Sequence, residues 1–135
     1  MATTEQLVAL QAKCHSLFVD PSLIQFAVKV VSATRNPAAA GLGDMQRFLT
    51  YGASPRASIN MIEAGRALAF LRGREYVLPE DVLDVTPDVL RHRIVLSYEA
   101  ISESITPDQI IGQVLKAIPA PEKPLEAHVR IAAAG

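Results

Sequence analysis

Gly52-Ala53-Ser54-Pro55-Arg56 is the stretch of this chain that comes nearest to a reactive arrangement. It approximates a truncated G-x-S-x-G nucleophile elbow, a turn in which the residue after the serine donates its backbone N–H to the oxyanion. That residue is Pro55, which has no N–H, and Arg56 stands where the last glycine would be. A serine hydrolase is excluded on those grounds. The same residues suit another chemistry. Ser54 as N-cap and Pro55 at the first helical position open a helix, whose N-terminus favours anions through its unpaired N–H groups and dipole. Arg56, at the second helical position and off the apolar face, adds a planar cation whose forked donors match phosphate oxygens. Cations ordinarily favour the opposite end of a helix, and a local conflict of this kind points to function. The alternative is a surface arginine paired with Glu63 or a neighbouring loop acid.

Other catalytic patterns are missing. The chain has no G-x-x-x-x-G-K-[ST] phosphate loop, so nothing in it can cradle a triphosphate alone. Gly41-Leu42-Gly43 lacks a third glycine and follows no clear strand, which leaves a dinucleotide fingerprint unsupported. H-E-x-x-H does not occur, and His15, His92 and His128 are scattered, so they read as structural or solvated groups and no metal site is expected. Cys14 is the only cysteine, which rules out an internal disulfide and reads as a reduced, mostly buried thiol.

Composition sets the class. The 135 residues suit one domain, half of them are hydrophobic, and the mean hydropathy is +0.22. Thirteen basic residues against fourteen acidic ones leave no basic footprint for nucleic acid. No run free of charged residues exceeds eight, against the roughly 20 apolar residues a membrane span needs. The N-terminus shows no basic region followed by an apolar segment, so no signal peptide is expected and the location reads as cytoplasmic.

The elements that must position Arg56 read as helices. A first helix is expected over 4–14, capped by Thr3 or Thr4, then an extended connection over 15–19. Asp20-Pro21 starts the next, with Ile24, Ala27, Val28 and Val31 as its stripe, widened by Leu23, Phe26 and Val30, and Asn36-Pro37 ends it. Residues 36–53 read mainly as a loop. The helix after Ser54 runs to about Arg72, with Ala57, Met61, Ala64, Leu68 and Leu71 on one face, Ile62 and Ala69 as a second apolar edge, and Gly73 as its stop. Tyr76-Val77 and Ile94-Val95-Leu96 read as very short strands. Pro79-Glu80-Asp81 and Thr86-Pro87-Asp88 each signal a short helix. Thr106-Pro107-Asp108 opens the last, with Ile110, Ile111, Val114, Leu115 and Ile118 inward. The fold class is mainly α, a small helical bundle with two or three very short strands, over residues 1–118; a flexible Pro/Ala-rich tail is expected over 119–135.

Several stretches in order carry a family resemblance. Gly52-Ala53-Ser54-Pro55-Arg56-Ala57, the run from Leu71 to Val82 (LRGREYVLPEDV), the run from Val89 to Ser97 (VLRHRIVLS) and Ala33-Thr34-Arg35 together resemble the C-terminal lid of MoxR-type AAA+ ATPases. The similarity covers roughly residues 5–118. It implies a helical lid packed on a nucleotide-binding α/β domain of the same chain, with the phosphate loop, magnesium-binding acids, sensor 1 and arginine finger N-terminal to residue 1. Arg56 would be the sensor 2 residue, reaching the γ-phosphate of ATP, with Ser54 and Pro55 beside it. A remote arginine can matter there because phosphoryl transfer is catalysed mainly by positioning and charge. Arg91, His92 and Arg93 match too; they receive no catalytic role and are expected to pair with nearby acids.

The resemblance further implies ATP with magnesium in the parent protein, a homo-oligomeric ring expected as a hexamer, and chaperone-like remodelling or maturation of partners that include von Willebrand factor A domain proteins. This chain alone is expected neither to hydrolyse ATP nor to bind it tightly, and, with the surface the ATPase domain would cover left bare, to self-associate in solution through the loop at 36–53. The competing reading is a stand-alone helical protein-interaction module without nucleotide binding.

Overall fold

The computed structural model describes residues 1–122; the expected tail falls, from residue 123 onward, outside the described residues. Helix α1 (Thr4–His15) starts at a full capping box, Thr3 and Gln6 each accepting the other's backbone N–H. None of its side chains is buried. Cys14 is therefore only half-buried, not mostly buried as expected, because α1 lies on the surface of the bundle.

Helix α2 (Pro21–Arg35) begins where expected, with the Asp20 carboxylate accepting the Ser22 N–H at 2.9 Å. Its buried face is Leu23, Phe26, Ala27, Val30, Val31 and Thr34, whereas Ile24 and Val28 point to solvent. Of the apolar positions expected to face inward, Leu23, Phe26, Ala27, Val30 and Val31 do so and only Ile24 and Val28 do not: this helix carries more apolar side chains than its packed face holds. The segment read as a loop is instead two 3-10 helices, Pro37–Ala40 and Gly43–Phe48, followed by strand β1 (Leu49–Tyr51). Pro37 and Met45 anchor it in the core.

Helix α3 (Arg56–Leu71) packs between α2 and α4, with α1 also against it. It buries Ala57, Met61, Ile62, Gly65 and Ala69, while Leu71, expected inside, is 80% exposed. Gly65 lies on this face because a Cβ there would lie 3.1 Å from a Val82 methyl, so α4 approaches closely at that point. Helix α4 is one element, Pro79–Leu90, not the two short helices expected. Pro87 lies inside it; the buried Thr86 hydroxyl bonds back to the Val82 carbonyl at 2.6 Å, and packing against α3 outweighs the missing backbone bond. Strand β2 (Val95–Leu96) pairs antiparallel with β1, Tyr51 opposite Val95. Tyr76, read as a strand, makes only an isolated parallel bridge with Phe18. A short helix, α5 (Tyr98–Ser102), was not anticipated; Ser97 caps it and also donates to the Arg47 carbonyl at 2.6 Å. Helix α6 (Pro107–Ala117) closes the bundle on α2 and α4 with Ile110, Ile111 and Val114. The exposed apolar side chains Tyr51, Val95, Tyr98 and Ile101 belong to the two strands and α5, so only Tyr51 comes from the 36–53 stretch.

Two devices hold α3 in place. At its C-terminus, Gly73 adopts φ +78°, a left-handed conformation that sends the chain back and lets the Arg74 N–H reach the Ala69 carbonyl. Arg74 then grips the fully buried Asp81 carboxylate through both terminal nitrogens, and Arg72 donates to the same carboxylate at 2.8 Å. The remaining capacity of Asp81 is filled by the Leu78 N–H at 2.8 Å, half of a capping box for α4. Hydrogen bonds to Asp84 first and Asp81 next hold Arg72 above its ordinary pKa, and those to Asp81 do the same for Arg74.

At the N-terminus of α3 the constraint is steric. A Cβ on Gly52 would stand 2.2 Å from the Thr34 carbonyl oxygen and 2.6 Å from the Arg35 nitrogen, so the backbone before α3 touches the end of α2 directly. The buried Thr34 hydroxyl accepts the Ala53 N–H at 3.0 Å and donates to the Val31 carbonyl at 2.6 Å.

Removing the buried carboxylate by Asp81→Ala should lower the unfolding free energy by about 3–4 kcal/mol in urea titrations, because Arg74 and the Leu78 N–H lose their acceptor together. Asp84→Ala, which removes only the exposed partner of Arg72, should change it little. Gly52→Ala should cost about 2–4 kcal/mol by the same measurement, since the clash is with backbone and no side chain can rotate away.

Candidate functional site

Arg56 is the first residue of α3, one position earlier than the sequence pattern suggests, and Pro55 precedes it as the cap residue with helical angles of φ −55° and ψ −27°. Ser54 therefore does not act as a side-chain cap. Its carbonyl accepts the Ala57 N–H at 2.9 Å, and the Pro55 carbonyl accepts the Ser58 N–H at 3.2 Å. These tight turns occupy amides that an anion would otherwise use. With Pro55 lacking an N–H, the capacity of this helix start to hold an anion rests mainly on the Arg56 side chain.

That side chain is exposed and, among the described residues, has neither an ion pair nor a hydrogen bond. Its expected alternative partner is engaged elsewhere: Glu63 accepts from Arg66 at 2.7 Å and lies 2.9 Å from His15 Nδ1. Ser54 is likewise exposed and its hydroxyl unpartnered. Gly52, Ala53 and Thr34 fix the backbone on which all three residues sit.

The other arginines divide sharply. Arg47 holds Glu99 and Glu103 and stacks 4.3 Å from the Phe48 ring centroid; Arg66, Arg72 and Arg74 hold the acids already described. Arg91 bridges Asp108 and Asp88 as expected, and those bonds, Asp108 first, raise its pKa above the ordinary value. Arg35 and Arg93 hold nothing among the described residues. For Arg93 this corrects the expected pairing with nearby acids: it is half-buried, and its Nε is sealed from solvent without an acceptor. Sequence reasoning missed this because pairing depends on which acids the fold leaves within reach. No helix among the described residues is long and apolar enough to cross a membrane.

Comparison with known proteins agrees with this architecture. The chain is 45% identical over 120 residues to Chaperone MoxR1 of Mycobacterium tuberculosis, covering 89% of this chain and 32% of that protein. It is 41% identical over 107 residues to Protein MoxR of Paracoccus denitrificans, covering 75% of this chain and 31% of that one. A crystallised chain from Cytophaga hutchinsonii described as an ATPase superposes with a TM-score of 0.79 at 40% identity, over 82% of this chain and 34% of its own. The chain thus spans about a third of the length of the relatives it matches. Residues 44–114 match the family of AAA lid domains, an interval that runs from the second 3-10 helix through α6 and includes the α3 start. This chain belongs to the AAA lid domain family, in the branch carried by MoxR-type AAA+ ATPases.

Proposed function

We propose that this lid couples the nucleotide state of a MoxR-type ATPase domain to chaperone-like remodelling or maturation of other proteins, with Arg56 as the sensor 2 residue that meets the γ-phosphate of ATP. The observation that carries this reading is an exposed guanidinium without a counter-ion among the described residues, fixed at the start of the central helix of the bundle. Magnesium and the groups that cleave ATP would come from the ATPase domain. The donor set here fits a supporting role, since an arginine stabilises charge on a transferring phosphoryl group without covalent chemistry.

Residues 1–118 form the lid on this reading, with Ser54 and Pro55 shaping the turn that presents Arg56. The exposed apolar side chains Tyr51, Val95, Tyr98 and Ile101 offer surface to a second domain. The parent would assemble as a cytoplasmic ring, a hexamer, and act on partners that include von Willebrand factor A domain proteins. The chaperone role draws support from the name of the Mycobacterium tuberculosis relative.

In the full-length protein, Arg56→Ala should reduce ATP turnover at least about tenfold while leaving the lid folded, because one positioned donor to a developing charge is lost. Arg56→Lys should recover only part of it, as the ammonium lacks the fork. Turnover equal to that of the parent in the alanine variant would remove Arg56 from the mechanism.

A further inference from the structure

Among the described residues, three arginines lack an acid, and all three lie on backbone segments that border one turn. Arg35 ends α2, and its backbone nitrogen lies against Gly52. Arg56 starts α3 four residues after that glycine. Arg93 precedes β2, and the antiparallel register of Tyr51 with Val95 sends β1 out toward Gly52 and Ala53 at the end where Arg93 and Ile94 enter. The Gly52–Ala53 turn is thus bordered by the end of α2, the start of α3 and the approach to β2, and each bordering segment carries one arginine.

The lack of partners is selective. The chain carries fourteen acidic residues for its thirteen basic ones, and Arg47, Arg66, Arg72, Arg74 and Arg91 all hold carboxylates. Only around this turn do the described arginines go without. Arg93, like Arg66, has its Nε withdrawn from water without an acceptor, which is unfavourable, but unlike Arg66 it has no carboxylate on its other nitrogens. Cations borne on adjoining segments also gain from a shared anion, which offsets their mutual repulsion. A single carboxylate would answer one of them, whereas a polyphosphate carries several charges along a chain of oxygens and can engage forked donors at several points.

We infer that Arg35 and Arg93 join Arg56 in one polyphosphate-binding surface around the Gly52–Ala53 turn, so that the lid reads nucleotide phosphates through three guanidinia. This rests on the proposed reading of Arg56 and extends it to two residues outside the Gly52–Arg56 motif. Arg93 is the anchored member, held by the turn in which its N–H meets the Leu90 carbonyl at 2.9 Å; Arg35 and Arg56 are the exposed ones.

The test titrates the 135-residue chain with sodium tripolyphosphate at constant ionic strength and follows the arginine Nε–Hε signals by NMR. The Arg35, Arg56 and Arg93 signals should move together with one apparent affinity. Arg35→Gln, Arg56→Gln and Arg93→Gln should each weaken it about fivefold, a loss typical of an exposed ion pair, and Lys13→Gln on α1 should not. Arg93→Gln should leave the thermal midpoint unchanged or raise it, as a structural ion pair would not. Should that variant misfold, Arg93→Lys keeps the charge without the fork and should bind with intermediate affinity. Movement of Arg56 alone, with Arg35→Gln and Arg93→Gln binding like the parent, would overturn the inference and leave the Arg56 reading standing. Equal response to succinate, or equal shifts at Lys13 and Arg47, would overturn it as general charge attraction. Failure of the Arg56 reading shows separately, as undiminished ATP turnover in Arg56→Ala.

Discussion

The approach of Gly52 to the end of α2 is the constraint on which the rest of this lid depends. Backbone meets backbone there, with no side chain between to absorb an error, and the Thr34 hydroxyl closes the contact by accepting the Ala53 N–H while donating to Val31. One hydroxyl therefore satisfies a buried amide and a helical carbonyl in a place where water cannot do so. Because α3 starts four residues later, its position relative to α2 follows from this contact, and so does the placement of Arg56. The motifs Ala33-Thr34-Arg35 and Gly52-Ala53-Ser54-Pro55-Arg56, far apart in the chain, are two sides of one joint.

The opposite end of α3 is built on the reverse principle. There Arg72, Arg74, Asp81 and Asp84 answer one another: Asp81 receives Arg72, Arg74 and the Leu78 N–H, and Asp84 takes what Arg72 has left. A buried carboxylate gripped by two guanidinia tolerates little rearrangement, since any shift strands a charge. The helix is thus tied through charge at its C-terminus and left with an unanswered charge at its N-terminus. A contact made at Arg56 would act on a helix held at both ends, which suits a part that must turn as a unit with what it touches.

The short elements serve the same joint. The two 3-10 helices and the β1–β2 pair bring the chain from α2 back to Gly52, and Ser97 ties α5 to the carbonyl of Arg47. Arg47 in turn spans to Glu99 and Glu103, so α5 and the second 3-10 helix are linked through both backbone and charge. The loop that seemed unstructured from its glycines and prolines is the strut that sets the angle of the α3 entry.

Local chemistry alone determined much of this protein. Asp20-Pro21 and Thr106-Pro107 start helices because an acceptor side chain followed by a fixed φ suffices, and Gly73 ends one because it takes a left-handed angle freely. The exposure of Arg56 off the apolar face was legible in the same way, from helical spacing. Tertiary structure decided what depends on a neighbour. It turned α2 so that Ile24 and Val28 face outward, carried α4 through Pro87, and turned α3 to bury Gly65 against Val82. It also decided which arginines keep their charge unanswered, for an ion pair needs a carboxylate within about 4 Å, and only the folded backbone settles which acids come that close.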